Sequence, residues 1–318
     1  YEMWCCDWSS DVCSSDLFTG ATVNTGRKVL ENRLVADEKG HYTVDFDDFR
    51  EKAKQAKLFF LCSPQNPTGR VWTEEELCRM GEICSEYGVM VVADEIHHDL
   101  IQPGYKHIVY ASLGKEFADN CVICTSLSKT FNLAGLCYAS IIIPNDEVRA
   151  KFQKQMGLQA FMHIERFGPV AHEAAYRHGA EWLEELIQVI KGNYEYVRDF
   201  FAQHFPGVVV TELEGTYLVW CDFRCFGMSD ADMKVFLTDE CMLYLDNGTD
   251  FGAAGSRETI TAGGAVGSAA KAARQKLLEA AEGACAFVKL GRLLHALQAH
   301  GALDERVGAP CAALAVGE

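Results

Sequence analysis

No run of apolar residues in this 318-residue chain approaches the roughly 20 that a membrane-spanning helix needs, so a helical span is not expected. Basic residues are in the minority, with 29 Lys and Arg against 45 Asp and Glu and a net charge of −16. That balance argues against nucleic acid as a general partner, while leaving room for a local basic pocket around a phosphate. A secretory apolar segment is missing from the start. The fourteen cysteines, several inside apolar strands (Cys62, Cys121, Cys221), are therefore expected to be reduced core residues of a cytoplasmic protein. Cys121-x-x-Cys124 has redox or zinc spacing, but within an apolar strand it reads as core. Aromatics run out late in the chain, where only Phe287 follows Phe251. What is abundant is apolar sequence, 49% of the chain, enough for a globular protein of two domains.

Three strand ends carry the chemistry. Cys121-Val122-Ile123-Cys124 reads as a buried strand and runs into Ser126-Leu127-Ser128-Lys129-Thr130. A lysine just past a strand end sits where open α/β sheets bind ligands. It can form a Schiff base with an aldehyde, while Ser126 and Ser128 offer hydrogen bonds to a phosphate. Upstream, Leu58-Phe59-Phe60-Leu61 leads into Cys62-Ser63-Pro64-Gln65-Asn66-Pro67-Thr68-Gly69, whose two prolines and glycine make a fixed turn that holds Asn66. Between the two, Val89-Met90-Val91-Val92-Ala93 ends abruptly in Asp94-Glu95-Ile96-His97. A buried carboxylate there needs a cation, such as a protonated pyridine nitrogen, unless Asp94 merely caps a following helix.

Taken together, Asn66, Asp94 and Lys129 stand at three successive strand ends, and the chain resembles the class I/II aminotransferase superfamily, the fold-type-I enzymes dependent on pyridoxal 5′-phosphate. The resemblance is closest to the C–S lyase branch, the MalY/PatB-type cystathionine β-lyases. It rests on Ser63 to Trp72, Asp94 to Leu100 and Ser128 to Leu136, continues through Ala174-Ala175-Tyr176 and Trp182-Leu183, and reaches Gly215 to Arg224. Residues 18 to 252 follow the family's order and spacing. The resemblance implies an α/β fold, with a mostly parallel sheet in a large domain and a smaller α+β C-terminal domain.

It also implies roles. Lys129 would carry the cofactor and act as general base, Asp94 would keep the ring nitrogen protonated, and Asn66 would hydrogen-bond the ring oxygen. Ser126 and Ser128 match phosphate-contacting positions. His97 stands where typical transaminases have a tyrosine; it either lies near the cofactor or is a helix-start residue satisfied by solvent. His98 reads as structural, Tyr105 and Tyr138 as packing. Transaminases commonly place an arginine eight residues after the lysine; here that position is Cys137, which fits the lyase branch better. The implied reaction is β-elimination from cystathionine or a related cysteine conjugate, giving thiol, pyruvate and ammonia. The alternatives are an aminotransferase, or an inactive or regulatory fragment. An amino acid is the implied substrate and a homodimer the implied assembly, with no nucleic-acid or membrane partner and no metal.

Along the chain, within residues 41–56, the charged stretch after Asp45-Phe46-Asp47-Asp48-Phe49 reads as a surface helix. Thr73-x-x-Glu76 is a capping box for a helix carrying Leu77, Met80, Ile83 and Cys84. Ala139 to Ile143 reads as an antiparallel-type strand, and Leu183 to Phe201 as one long helix ended by Pro206-Gly207. Val208 to Val210, Tyr217 to Trp220 and Met242 to Leu245 read as strands, and Ser229-x-x-Asp232 as a helix cap.

The ends are anomalous. Residues 1–17 hold a near-duplication (Ser-Ser-Asp-Val, Ser-Ser-Asp-Leu) without periodicity and read as foreign sequence. The large domain is expected over 18–160 and the small one, incomplete, over 161–255. Relatives carry a strand with a carboxylate-clamping arginine where residues 256–318 turn rich in Ala and Gly; no such strand is expected there, and Arg257 is not given that role. A helix over Leu277 to Gln298 fits the composition, and a change of reading frame near Gly255 accounts for the tail. Peptide mapping of the protein from its natural source tests this: peptides matching residues 256–318 would refute a frame change.

Overall fold

The computed structural model describes residues 14–159, 167–248 and 257–261, the last as backbone. Residues 1–13 and most of the Ala/Gly-rich tail, including Leu277 to Gln298 and Gly255, lie outside the described residues. Ser14 to Leu17, read from sequence as aperiodic, form the first turn of α1 (Ser14–Asn24).

The described chain divides into two units. The first comprises residues up to Asp37, His41–Ile187 and Glu214–Thr216. It begins with α1 and a two-strand ribbon, β1 (Val35–Ala36) and β2 (Tyr42–Thr43). Asp45 then caps α2 (Phe46–Ala53) by accepting from the amides of Asp47 and Asp48. The central sheet follows: β3 (Leu58–Cys62), α3 (Glu74–Glu86), β4 (Met90–Asp94), α4 (Lys115–Asp119) and β5 (Cys121–Thr125), in that order. Strands β3, β4 and β5 are parallel, and β6 (Ser140–Ile142) closes the edge antiparallel to β5. The short α5 (Leu127–Thr130) follows β5 directly. Three longer helices come after β6: α6 (Asp146–Leu158), α7 (Phe167–His178) and α8 (Ala180–His204).

Parallel strands are covered on both faces, which is why β3 to β5 are almost uninterruptedly apolar. Side-chain alternation sorts them. Leu61, Val91, Ala93 and Ile123 meet Leu77, Met80, Ile83 and Cys84 of α3 on one face. Val92, Val122 and Cys124 pack with Ile143, Val148 and Phe152 on the other. The expected capping box is present: Thr73 Oγ1 accepts from Glu76 N at 3.2 Å, and the Glu76 carboxylate accepts from Thr73 N at 2.9 Å.

The second unit comprises Glu38–Gly40, Gln188–Leu213 and the chain from Tyr217 onward. Its sheet has the order β7 (Val209–Val210), β8 (Leu218–Asp222), β10 (Arg257–Thr261), β9 (Asp246–Asn247), all neighbours antiparallel. Ser229 caps α9 (Asp230–Val235), as its spacing predicts. Phe201, Phe205, Phe223 and Phe226 pack edge-on and stacked, with ring centroids 5.5 to 6.1 Å apart.

Three sequence expectations differ from the structure. The division between units falls at Ile187/Gln188 inside α8, rather than at residue 160, because Trp182 stacks on Phe131 and His172 meets Tyr138 within the first unit. Met242 to Leu245 is irregular, with Met242 at φ 54°, and the strand begins afterwards at Asp246. An arginine-bearing strand does exist beyond residue 256. Thr259, Ile260 and Thr261 are β-branched, and the edge of β8 offers them a full ladder that sets Arg257 opposite Asp222.

Gly81 of α3 faces the Tyr110–Phe117 ring pair, and a Cβ there would overlap the Phe117 ring and the Tyr110 hydroxyl. Gly81→Ala should therefore destabilise the chain by about 1–3 kcal/mol despite its better helix propensity. Urea unfolding measures this, and an unchanged midpoint would contradict the packing described.

Candidate active site

Register places the strand ends level. Cys62 of β3 pairs with Asp94 of β4, and Asp94 with Cys124 of β5, so the loops carrying Asn66, Asp94 to Asp99 and Lys129 all leave the sheet from the same row. This is the carboxyl edge where open α/β sheets place ligands.

Asp94 is only 4% exposed. Its Oδ1 accepts from Ile96 N at 3.2 Å, closing a turn; no helix follows, so residues 96–99 are turn and His97 is not at a helix start. Burial pushes the Asp94 carboxyl up to about 7, against the downward pull of the Ile96 amide and the Lys129 ammonium, with Glu95 adding to the rise. His97 is 2% exposed, and burial drives its imidazole down to about 3, helped by the charges of Lys129 and His98. It is therefore a neutral ring near Lys129, not a solvated one. Glu95 is also buried, and two donors hold its carboxylate: the Tyr110 amide at 2.9 Å and the His107 ring at 3.0 Å.

Lys129 is half-buried on α5, and its neighbours fix that short helix. Ser126 caps it, accepting from Ser128 N at 3.0 Å and donating to Tyr138 O at 2.7 Å. Thr130, fully buried, donates to Asp99 Oδ2 at 3.0 Å. Ser128 Oγ is buried and has no hydrogen-bond partner among the described residues. Asn66 shows the same feature. Its amide N–H points to Cys62 Sγ at 3.4 Å and its carbonyl accepts from Gln65 Nε2 at 2.9 Å, yet Oδ1 is buried with no hydrogen-bond partner. His98 is bound locally, by Glu95 O at 2.7 Å and Thr125 at 3.0 Å, in keeping with a structural part.

The structure thus brings Asn66, Asp94, His97, Ser126, Ser128 and Lys129 to the end of one sheet within one unit. It adds groups that sequence reasoning missed: Glu95 with His107, and Asp99 with Thr130. Asp99 lay in the quoted stretch Asp94 to Leu100, but its partner is 31 residues away and nothing local signals it. Chemically, the cluster offers an amine, a neutral imidazole, a buried acid poised to meet a cation, and buried polar atoms on Asn66 and Ser128 that have no partner among the described residues.

A half-buried lysine and a buried carboxyl thus stand just past the ends of adjacent parallel strands of an α/β unit. A family model described as "Aminotransferase class I and II" matches residues 24–274, and the chain belongs to that family. It is 41% identical over 232 residues to cystathionine beta-lyase PatB of Bacillus subtilis, covering 72% of this chain and 60% of PatB. It is 33% identical over 202 residues to protein MalY of Escherichia coli, covering 63% of this chain and 51% of MalY. The chain therefore spans about half to three-fifths of the length of these curated relatives. Among solved structures it resembles cystalysin from Treponema denticola, which contains a pyridoxal 5′-phosphate cofactor (TM-score 0.77, 33% identity, 88% of this chain and 68% of that one).

The raised Asp94 carboxyl has a direct consequence. Folded Asp94 takes up a proton that the unfolded residue has lost, so its contribution to stability falls as pH rises from about 4 to about 7 and is flat above. Asp94→Asn lacks this dependence. Urea unfolding of both proteins without added ligand should show the variant gaining on the parent across that window, and a pH-independent difference would contradict it.

Proposed function

We propose that the chain is the greater part of a pyridoxal 5′-phosphate-dependent C–S β-lyase that cleaves cystathionine or related cysteine S-conjugates to thiol, pyruvate and ammonia. The observation that carries the reading is that Asp94 ends β4 level with the ends of β3 and β5, from which the segments carrying Asn66 and Lys129 leave on either side. It is supported by the 41% identity to PatB, named as a cystathionine beta-lyase.

The residues fit the cofactor. Asp94 is a desolvated carboxyl that a cationic ring nitrogen would ionise and hold. Asn66 Oδ1 and Ser128 Oγ are buried polar atoms whose cost falls when a ring hydroxyl and a phosphate meet them. Ser126, whose hydroxyl already binds Tyr138 O and Ser128 N, would serve the phosphate less as a donor than by fixing Ser128. When bound, the cofactor supplies an aldehyde carbon for amine attachment and a ring that accepts electrons from the substrate Cα.

Lys129 would be the attachment point and, with its amine free, would serve as a tethered base able to take the Cα proton at Nζ. His97, neutral because it is buried, packs beside this amine without adding a competing charge. With a thioether at Cβ, thiolate leaves before a proton returns to carbon. The half-exposed Lys129 can hand its proton to the departing sulfur. A homodimer in the cytoplasm belongs to the same proposal; buried cysteines at Cys84, Cys121, Cys124, Cys221 and Cys241 suit a reducing compartment.

The runner-up is transamination, which the same cluster can support. Cystathionine incubated with the protein and pyridoxal 5′-phosphate, with no 2-oxo acid, separates the two. Pyruvate formation supports the lyase, and a strict requirement for a 2-oxo acid contradicts it. Borohydride reduction followed by peptide mapping should place the cofactor on Lys129, and Lys129→Ala should abolish both label and turnover.

A further inference from the structure

Arg70 ends the loop that carries Asn66, and its surroundings are unusual for a connecting turn. The guanidinium is 4% exposed and engages two carboxylates at once. Nη1 donates to both oxygens of Glu214 at 2.9 and 3.0 Å, and Nη2 to both oxygens of Glu76 at 2.8 and 3.0 Å. Glu214, 3% exposed, also accepts from Val71 N at 2.7 Å. A second set of bonds follows the same path. Gly69 O accepts from Glu214 N at 3.2 Å and Gly215 N at 2.8 Å, so residues 214 and 215 lie against the loop. The approach is close: a Cβ on Gly215 would come within 2.9 Å of Val71 Cγ2 and 3.1 Å of Pro64.

The loop itself is closed between its ends. Gln65 N donates to Arg70 O at 2.8 Å, and Gly69 N to Gln65 O at 2.9 Å. Gln65 Nε2 in turn holds the Asn66 carbonyl at 2.9 Å. An unbroken path of hydrogen bonds thus runs from the two carboxylates through Arg70 and Gln65 to the backbone of Asn66. The Glu214 pair is desolvated, and the two terminal nitrogens of one planar guanidinium each take a different carboxylate, a span that a single ammonium does not match.

We propose that Arg70 is a positioning residue: by locking the Asn66 loop between Glu214 and Glu76, it fixes where the Asn66 amide stands toward the cofactor ring. The assignment of a ligand to Asn66 rests on the function proposed above; the locking itself does not.

The experiment is therefore in two parts, both on the full chain. First, hydrogen exchange without cofactor compares the parent with Arg70→Lys, which keeps the charge and loses the double fork. Protection of the Gln65 and Gly69 amides should fall by about tenfold or more while amides of β4 keep theirs. Unchanged protection would overturn the proposal whether or not the chain binds cofactor. Should Arg70→Lys fail to fold, Glu76→Gln removes only the outer, partly exposed fork and is read in the same way.

Second, pyridoxal 5′-phosphate affinity is measured by absorbance titration for the parent, Arg70→Lys, Asn66→Ala and the double variant. Arg70→Lys should weaken binding about tenfold in the parent, and by less than about twofold when Asn66 is already alanine. An equal loss in both backgrounds would mean that Arg70 acts on stability at large and would overturn the positioning role. A parent that binds no cofactor, with the exchange result intact, would instead count against the proposed function alone.

Discussion

Putting Asp94 at the end of β4, with apolar neighbours before it and almost no solvent, is the demand to which the surrounding structure responds. An isolated buried carboxylate is costly, and here the cost shows as a proton affinity raised to about 7. The neighbouring acid, Glu95, would make matters worse if left alone. It is instead turned toward the His107 ring and the Tyr110 amide, which meet both its oxygens. Of the two adjacent acids, then, one is satisfied by the protein. The other keeps one backbone hydrogen bond and the distant help of Lys129, an arrangement suited to an incoming cation.

The same economy holds across the strand ends. Ser126 and Thr130 spend their hydroxyls on the backbone of Tyr138 and on Asp99, which immobilises the short helix bearing Lys129. The Asn66 loop spends Gln65, Thr68 and Arg70 on its own closure. Most polar groups that build the frame are paired within it, although Ser63 Oγ and Arg70 Nε have no partner among the described residues. Ser128 Oγ and Asn66 Oδ1 are likewise without one, and these two would meet a ligand's oxygens under the function proposed. Rigid supports around a few unsatisfied atoms are what preorganisation requires.

How much of this was legible beforehand follows from range. Strands β3, β4 and β5 were readable because parallel strands covered on both faces must be apolar throughout, and the turns after them because Pro, Gly and acidic residues break the pattern sharply. The caps of α3 and α9 were readable because a side chain meets its own backbone three residues on. The fork of Arg70 joins residues 144 apart and has no local signature. Likewise His97 had two readings, a place near the cofactor or a solvated helix start, and only tertiary packing shows the turn and the burial. The split inside α8 escaped notice because a continuous apolar stripe conceals a change of partner midway along one helix.

Position 137 bears on the choice between elimination and transamination. Transaminases of this family commonly have arginine there; this chain has cysteine, exposed and at φ 46°. A guanidinium would add a cation beside the phosphate and hold the ring more firmly. Under the function proposed, the hold on the ring would then fall to Asp94, Ser128 and Asn66. A transaminase must return a proton to the cofactor carbon and keep the ring in place through a second half-reaction with another acid. A β-lyase needs one proton removed before the thiolate leaves, after which the enamine product is released, takes a proton at carbon to become an imine and hydrolyses to pyruvate and ammonia. The lighter grip therefore suits the shorter reaction, and it makes the position of Asn66, and hence the Arg70 clamp, matter more here than where arginine shares the load.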